Sequence, residues 1–152
     1  MEKRELLKNL RKLNLGGVLR VNGKLFKVSE VVSYLEYPDR WFDLVHYQPD
    51  GREIVVEIEG QELSFWRQVK GIKLIRKRIV RYRGERYQLD PKESGEAETI
   101  LRKMENGKEV AKVAKTPYTM FAAPSGRLLR QKFWDGKECW YFSEPGLITI
   151  SI

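Results

Sequence analysis

Leu19-Arg20-Val21-Asn22-Gly23-Lys24-Leu25-Phe26-Lys27-Val28 is echoed further along the chain by Val80-Arg81-Tyr82-Arg83-Gly84-Glu85-Arg86-Tyr87-Gln88-Leu89. Both stretches run apolar, arginine, apolar, polar, glycine, charged, variable, aromatic, polar, apolar. A polar residue followed by glycine between two short alternating runs predicts a β-hairpin, because a type I′ turn needs positive φ at both central positions. Two hairpins of one pattern predict two similar β units in tandem.

Working outward from the first hairpin, Leu25 to Tyr37 is rich in Val, Tyr and Phe and ends at Pro38-Asp39. Trp41 to Tyr47 is a second aromatic and β-branched run, closed by the turn phrase Pro49-Asp50-Gly51. Ile54, Val56 and Ile58 alternate with Val55, Glu57 and Glu59, which predicts a half-buried strand with one apolar face. Glu59-Gly60-Gln61 turns the chain into Leu63-Ser64-Phe65-Trp66. The first unit thus reads as a meander of about five strands. The junction from Arg67 to about Arg78 lacks linker composition and reads as a strand shared between the units.

Beyond the second hairpin, Asp90-Pro91 to Gly95 reads as a loop. Glu96 to Met104 reads as a strand or a short helix, and the following Asn106-Gly107 favours strand-turn-strand. Thr116 to Gly126, with Pro117, Pro124 and Gly126, reads as a long loop. Asp135-Gly136 predicts another hairpin, flanked by Leu128-Leu129 and Trp140-Tyr141-Phe142. Pro145-Gly146 is a turn, and Ile148, Ile150 and Ile152 end the chain as a strand.

Ahead of this β body, Leu6, Leu7, Leu10 and Leu13 follow helical spacing, with Asn14 and Gly16-Gly17 as the stop. The expected fold class is therefore mostly β: two related antiparallel β-meander units, small-barrel-like and fused in one body, plus a short N-terminal amphipathic helix. The expected divisions are residues 1–14 for the helix, 15–70 for the first β unit and 71–152 for the second, within one globule.

The bulk numbers bound the function. At 152 residues, 41% hydrophobic and 11% aromatic, the chain can bury a core. A net charge of +8 and a pI near 9.6 point to polyanionic partners: an acidic protein, nucleic acid or an anionic membrane surface. Cys139 is the only cysteine, which excludes an intrachain disulfide and fits a reducing compartment. The charged start Glu2-Lys3-Arg4-Glu5 has no signal-peptide character, and the expected localisation is cytoplasmic.

Catalytic constellations are thin. His46 is the only histidine and reads as a packed strand residue, so a nucleophilic pair with Cys139 is not expected. No metal site and no cofactor motif are expected. Glu57 with Glu59, and Glu96 with Glu98, read as solvated strand edges. Trp41, Trp66, Trp134 and Trp140 read as core or lid packing, with an aromatic-lined pocket or peptide groove as the lesser alternative.

The strongest chemical signal is a basic cluster, Arg67, Lys70, Lys73, Arg76, Lys77, Arg78, Arg81, Arg83 and Arg86, interleaved with Trp66, Tyr82 and Tyr87. Charges that track phosphates beside rings that stack bases are how many single-strand binders work. The alternative is that alternation turns the arginines to solvent and the rings inward. The expected function is a non-catalytic accessory module that docks an acidic protein partner through this basic and aromatic surface. A nucleic-acid-binding β-barrel is the runner-up and an enzyme ranks third.

Several phrases together resemble the bacterial and archaeal family called domain of unknown function 4178. They are Gly16-Gly17-Val18, Gly23-Lys24-Leu25-Phe26-Lys27-Val28, Trp41-Phe42-Asp43-Leu44, Pro49-Asp50-Gly51, Tyr82 to Leu89 and Gly95-Glu96-Ala97-Glu98, with the late aromatic hairpin. The resemblance implies a β-rich fold, no established catalytic residues and an association with membrane-stress proteins of the phage-shock type. Thr116-Pro117-Tyr118 stands where the family pattern often has an Asp-Tyr pair.

Overall fold

Four turns set the hairpins. Asn22-Gly23 (φ 50° and 78°), Arg83-Gly84 (50° and 76°), Asn106-Gly107 (52° and 77°) and Asp135-Gly136 (51° and 75°) all hold the doubly positive conformation of a type I′ turn. The computed structural model describes residues 2–146 and 148–152. Met1 and Leu147, which fall inside the expected helix and the expected second unit, lie outside the described residues.

The protein is mostly β, with one short helix, an eight-stranded antiparallel barrel and an additional sheet. Four barrel strands come from the first half of the chain: β3 (Glu30–Glu36), β4 (Asp39–Tyr47), β5 (Glu53–Glu59) and β6 (Glu62–Val69). Four come from the second: β9 (Glu85–Glu105), β10 (Lys108–Ala122), β11 (Leu128–Trp134) and β12 (Lys137–Ser143). Consecutive strands pair antiparallel around each half. The halves join where β3 pairs β9 and where β6 pairs β12. The first seam runs from Glu30–Lys103 to Leu35–Glu98. The second holds only Trp140–Val69, Tyr141–Gln68 and Phe142–Arg67 in register.

Two flaps clothe the outside of the barrel. α1 (Lys3–Lys12) buries Leu7 and Leu10, and β1 (Val18–Val21), β2 (Lys24–Lys27) and the chain-terminal β13 (Ile150–Ser151) form a small sheet in the order β13-β1-β2. Together they cover the apolar outer faces of β3 to β5, with Leu19, Val21, Phe26 and Val28 packed on Val31, Leu44, Val56 and Ile58. Each fully buried leucine in this layer contributes about 1.5–3 kcal/mol. The second flap is β7 (Lys73–Arg76), β8 (Ile79–Tyr82) and the start of β9, whose Val80, Tyr82 and Tyr87 pack on Phe121, Leu129 and Phe142. The two flap hairpins bury corresponding positions, Leu19 with Val80, Val21 with Tyr82 and Phe26 with Tyr87.

Several sequence expectations are corrected. Asp90 to Gly95 and Thr116 to Ala122 are not loops but parts of β9 and β10. The register jumps from Tyr118–Gly95 to Met120–Asp90, so the extra residues bulge out and Pro91 sits where no ladder bond is needed. Only Ala123 to Arg127 remains a connecting turn. Leu25 to Tyr37 is two strands broken at Val28-Ser29, and the Arg67–Arg78 junction is the end of β6 followed by the separate strand β7. Glu96 to Met104 is not corrected: it is strand, the alternative that Asn106-Gly107 favours. β5 is not half-buried: Val55 to Ile58 are buried on both faces, because one face lies under the first flap and the other lines the barrel.

Candidate functional site

The barrel interior carries charged side chains among apolar ones such as Val45, Val55 and Leu101, and the exterior of β3 to β5 is apolar, so the charges point away from solvent. Tyr34, Asp43, Glu57, Arg130 and Lys132 all project inward. Because β4 and β5 lie across the barrel from β11, Asp43 and Glu57 meet Lys132 and Arg130 through the lumen. Lys132 Nζ donates to Asp43 Oδ2 and to the Tyr34 hydroxyl, both at 2.9 Å, and the Tyr34 hydroxyl donates to Asp43 Oδ2 at 3.0 Å. The Arg130 guanidinium makes a two-pronged pair with Glu57 and lies 4.2 Å from the Trp66 ring centre. Burial pushes Glu57 upward, but the charge and hydrogen bonds of Arg130 more than reverse it and hold Glu57 below the usual carboxylate range. Burial raises Asp43 despite Lys132. This charged layer divides the lumen.

On one side lies a cavity of about 360 Å³ at the open end of the barrel. Its wall carries Glu30 and Glu53. Tyr47 donates to Glu30 Oε2 at 2.6 Å, and Tyr141 donates to Glu53 Oε2 at 2.9 Å. Tyr47 is the cross-strand neighbour of Glu53, so the two carboxylates flank one phenol. Neither carboxylate has an ion-pair partner among the described residues. Burial, and behind it the charge of Glu30, raise Glu53 above the ordinary carboxylate range. At the base, Thr116 Oγ1 is buried with no hydrogen-bond partner among the described residues. The mouth is basic: Lys103 and Lys112 share Glu105 at 3.9 and 4.0 Å, and Lys137 is exposed beside Trp134. On the other side of the layer a smaller cavity of about 190 Å³ holds Glu36, Tyr118, Glu59 and Lys92.

Cys139 lines the first cavity, but burial, with Glu53 behind it, pushes its thiol up and away from the reactive thiolate. His46 projects from the other side of the barrel wall, its ring beside Phe26 and its Nδ1 3.1 Å from the Lys27 backbone nitrogen. The structure therefore keeps Cys139 and His46 apart. No group of three metal-ligating side chains converges among the described residues. Glu57 corrects the reading of a solvated carboxylate edge: it is 5% exposed. Glu96 and Glu98 are exposed, as alternation implies.

The basic cluster is brought together only in part. Lys73, Arg81 and Arg86 sit directly opposite one another on β7, β8 and β9, an exposed cross-strand row on the outer face of the second flap. Arg76, Lys77, Arg78 and Arg83 are exposed at the flap's turns, and Lys70 is exposed at its entry. Arg67 is apart, half-buried on the barrel wall, 4.8 Å from the Phe142 ring centre. Trp66, Tyr82 and Tyr87 are 2%, 6% and 1% exposed, so the expectation of a stacking surface made from these rings is corrected: alternation turns them inward while it turns the arginines out. The exposed apolar residues of the flap are instead Leu74 and Ile75 on β7, 72% and 36% exposed, and β7 is an edge strand with no outer neighbour among the described residues.

Sequence reasoning missed the lumen. The signal was present in Trp41-Phe42-Asp43-Leu44-Val45, where one acid inside an apolar run has to find a partner, and in Lys132, which faces Cys139 on the last hairpin. Among the described residues no helix is long and apolar enough to cross a membrane. No curated protein and no solved structure matches the chain. Residues 14–145, all eight barrel strands and both flap hairpins, match the model of the family described as Domain of unknown function (DUF4178), and the chain belongs to that family.

Proposed function

We propose that this protein is a non-catalytic accessory module that docks an acidic protein partner through the second flap. The observation that carries the reading is the exposed row Lys73, Arg81 and Arg86 beside the open edge of β7. Like charges directly opposite one another weaken a sheet, and here nothing acidic among the described residues forms an ion pair with the row. Basic residues on an edge strand also guard against aggregation, but guarding does not explain Leu74 and Ile75 exposed on that same strand. A basic edge with apolar residues suits an extended acidic segment that adds as a further strand, main chain to main chain, with carboxylates meeting the row. Nucleic acid is the second reading; the same charges support it, and the burial of the rings argues against base stacking. The basic charge and lone cysteine support a cytoplasmic setting, and the matched burial of the two flap hairpins supports descent of the two halves from one repeated unit.

The test is fluorescence anisotropy of the full chain with four labelled probes: a peptide alternating valine and glutamate, its backbone N-methylated form, single-stranded RNA and duplex DNA. The alternating peptide binds, weakens as salt rises, and loses about tenfold or more with Lys73→Glu and Arg81→Glu, while the N-methylated form does not bind. Nucleic acid that binds more tightly than the peptide, with a steep salt slope, replaces this reading with the second.

A further inference from the structure

The open-end cavity is a better-built site than any surface patch, and it stands independently of the flap. At about 360 Å³ it is at the small end of ligand pockets, large enough for a metabolite and too small for a peptide. Its polarity is ordered along the barrel axis. Carboxylates lie inside, at Glu30, Glu53 and Asp43, and lysines lie at the mouth, with Lys137 exposed. The one buried lysine of this cavity, Lys132, is committed to Asp43 at 2.9 Å, and neither Glu30 nor Glu53, though Lys103 is the cross-strand neighbour of Glu30, has an ion-pair partner among the described residues.

This order selects among ligands. Buried carboxylates exclude an anion from the interior and make a purely apolar guest costly, since it would strip their water and return no hydrogen bonds. Metal is disfavoured because no set of three ligating groups converges among the described residues. A charged hydrogen-bond donor remains. Glu30 and Glu53 each already accept a tyrosine hydroxyl on Oε2. Each is left to act through its other oxygen, a one-pronged acceptor, which suits an ammonium better than the paired fork of a guanidinium. Independently, Thr116, 2% exposed, lines the same cavity with its Oγ1 unpartnered among the described residues. An ammonium has three N–H donors to offer such acceptors.

We propose that the barrel lumen binds a small zwitterion: an ammonium group enters between Glu30 and Glu53, and an anionic group stays at the mouth among Lys103, Lys112 and Lys137. The ligand is bound, not transformed.

Calorimetry on the full chain with 4-aminobutanoate, butylamine and butanoate separates the parts, with melting curves of the unliganded variants alongside. 4-Aminobutanoate binds, butylamine binds roughly tenfold more weakly and butanoate does not bind. Glu53→Gln and Glu30→Gln each weaken 4-aminobutanoate by roughly tenfold or more. Each also melts higher than the unchanged protein without ligand, because each removes a carboxylate that a tyrosine hydroxyl supports but no ion pair neutralises. Lys137→Ala narrows the preference for 4-aminobutanoate over butylamine. The proposal is overturned if butanoate binds as well as 4-aminobutanoate, or if none of the three binds at millimolar concentration. It is likewise overturned if both glutamine variants melt lower and bind unchanged, which is the signature of carboxylates with a structural role.

Discussion

Single residues set the chemistry of the lumen, and the Arg130–Glu57 pair is the clearest case. Their side chains are 12% and 7% exposed, so each is the other's main substitute for water. Removing one partner leaves a buried charge: Arg130→Met lowers stability in urea melts by about 3–5 kcal/mol, while Arg130→Met combined with Glu57→Leu recovers much of that loss. The pH dependence has a definite sign. Glu57 is held below its unfolded value, so its contribution is present above the usual carboxylate range and is lost as pH falls through its lowered value. Glu53 is raised, so its contribution has the opposite sense, present in acid and lost as pH rises through its raised value. The pairing in this network was not legible in the chain order. Asp43 and Lys132 are 89 residues apart, and an acid inside an apolar run shows that it needs a partner without showing which one. Alternation tells which residues share a face; it does not tell which face is wet. Here the more apolar face of β4 and β5 turns out toward a flap, and the face that carries Asp43 and Glu57 beside Val45 and Val55 turns in. A reading that equated charge with solvent put Glu57 on the wrong side of the wall.

At the scale of elements, the hairpins were legible because their signal is local. Asn22-Gly23 and Arg83-Gly84 need left-handed backbone at two successive residues, and that requirement is written in the turn itself. Arg83 is the less suited of the two first positions, since its φ of 50° is strained for a long side chain. Arg83→Asn therefore raises the melting temperature slightly, whereas Gly84→Ala, at φ 76°, lowers stability by about 1 kcal/mol. Thermal melts of the two variants check both directions. The misread elements, β9 and β10, failed for a related reason. Pro91, Gly95 and Pro117 are turn residues by local chemistry; pairing between β9 and β10 keeps Gly95 and Pro117 extended, opposite Tyr118 and Glu96, and Pro91 falls in the bulge. The bulge that absorbs Pro91 is created by the register between β9 and β10, which no single segment contains.

The whole molecule is a ring made of two four-strand arcs, and its two joints are unequal. One arc end is clasped along β3 and β9 and backed by the long ladder of β9 with β10. The other is held only by Val69, Gln68 and Arg67 against Trp140, Tyr141 and Phe142. The expected outcome in hydrogen exchange is that amides of Arg67 to Val69 and Trp140 to Phe142 exchange well ahead of those of Val55 to Ile58, whose strand is buried on both faces. A ring of strands with one short joint behaves as a clasp: the barrel can part there without disturbing the opposite wall, and the pair that parts includes Tyr141, which holds Glu53. Breathing of the fold and loosening of the inner acids are then one motion, so any molecule that braces Glu53 also latches the ring.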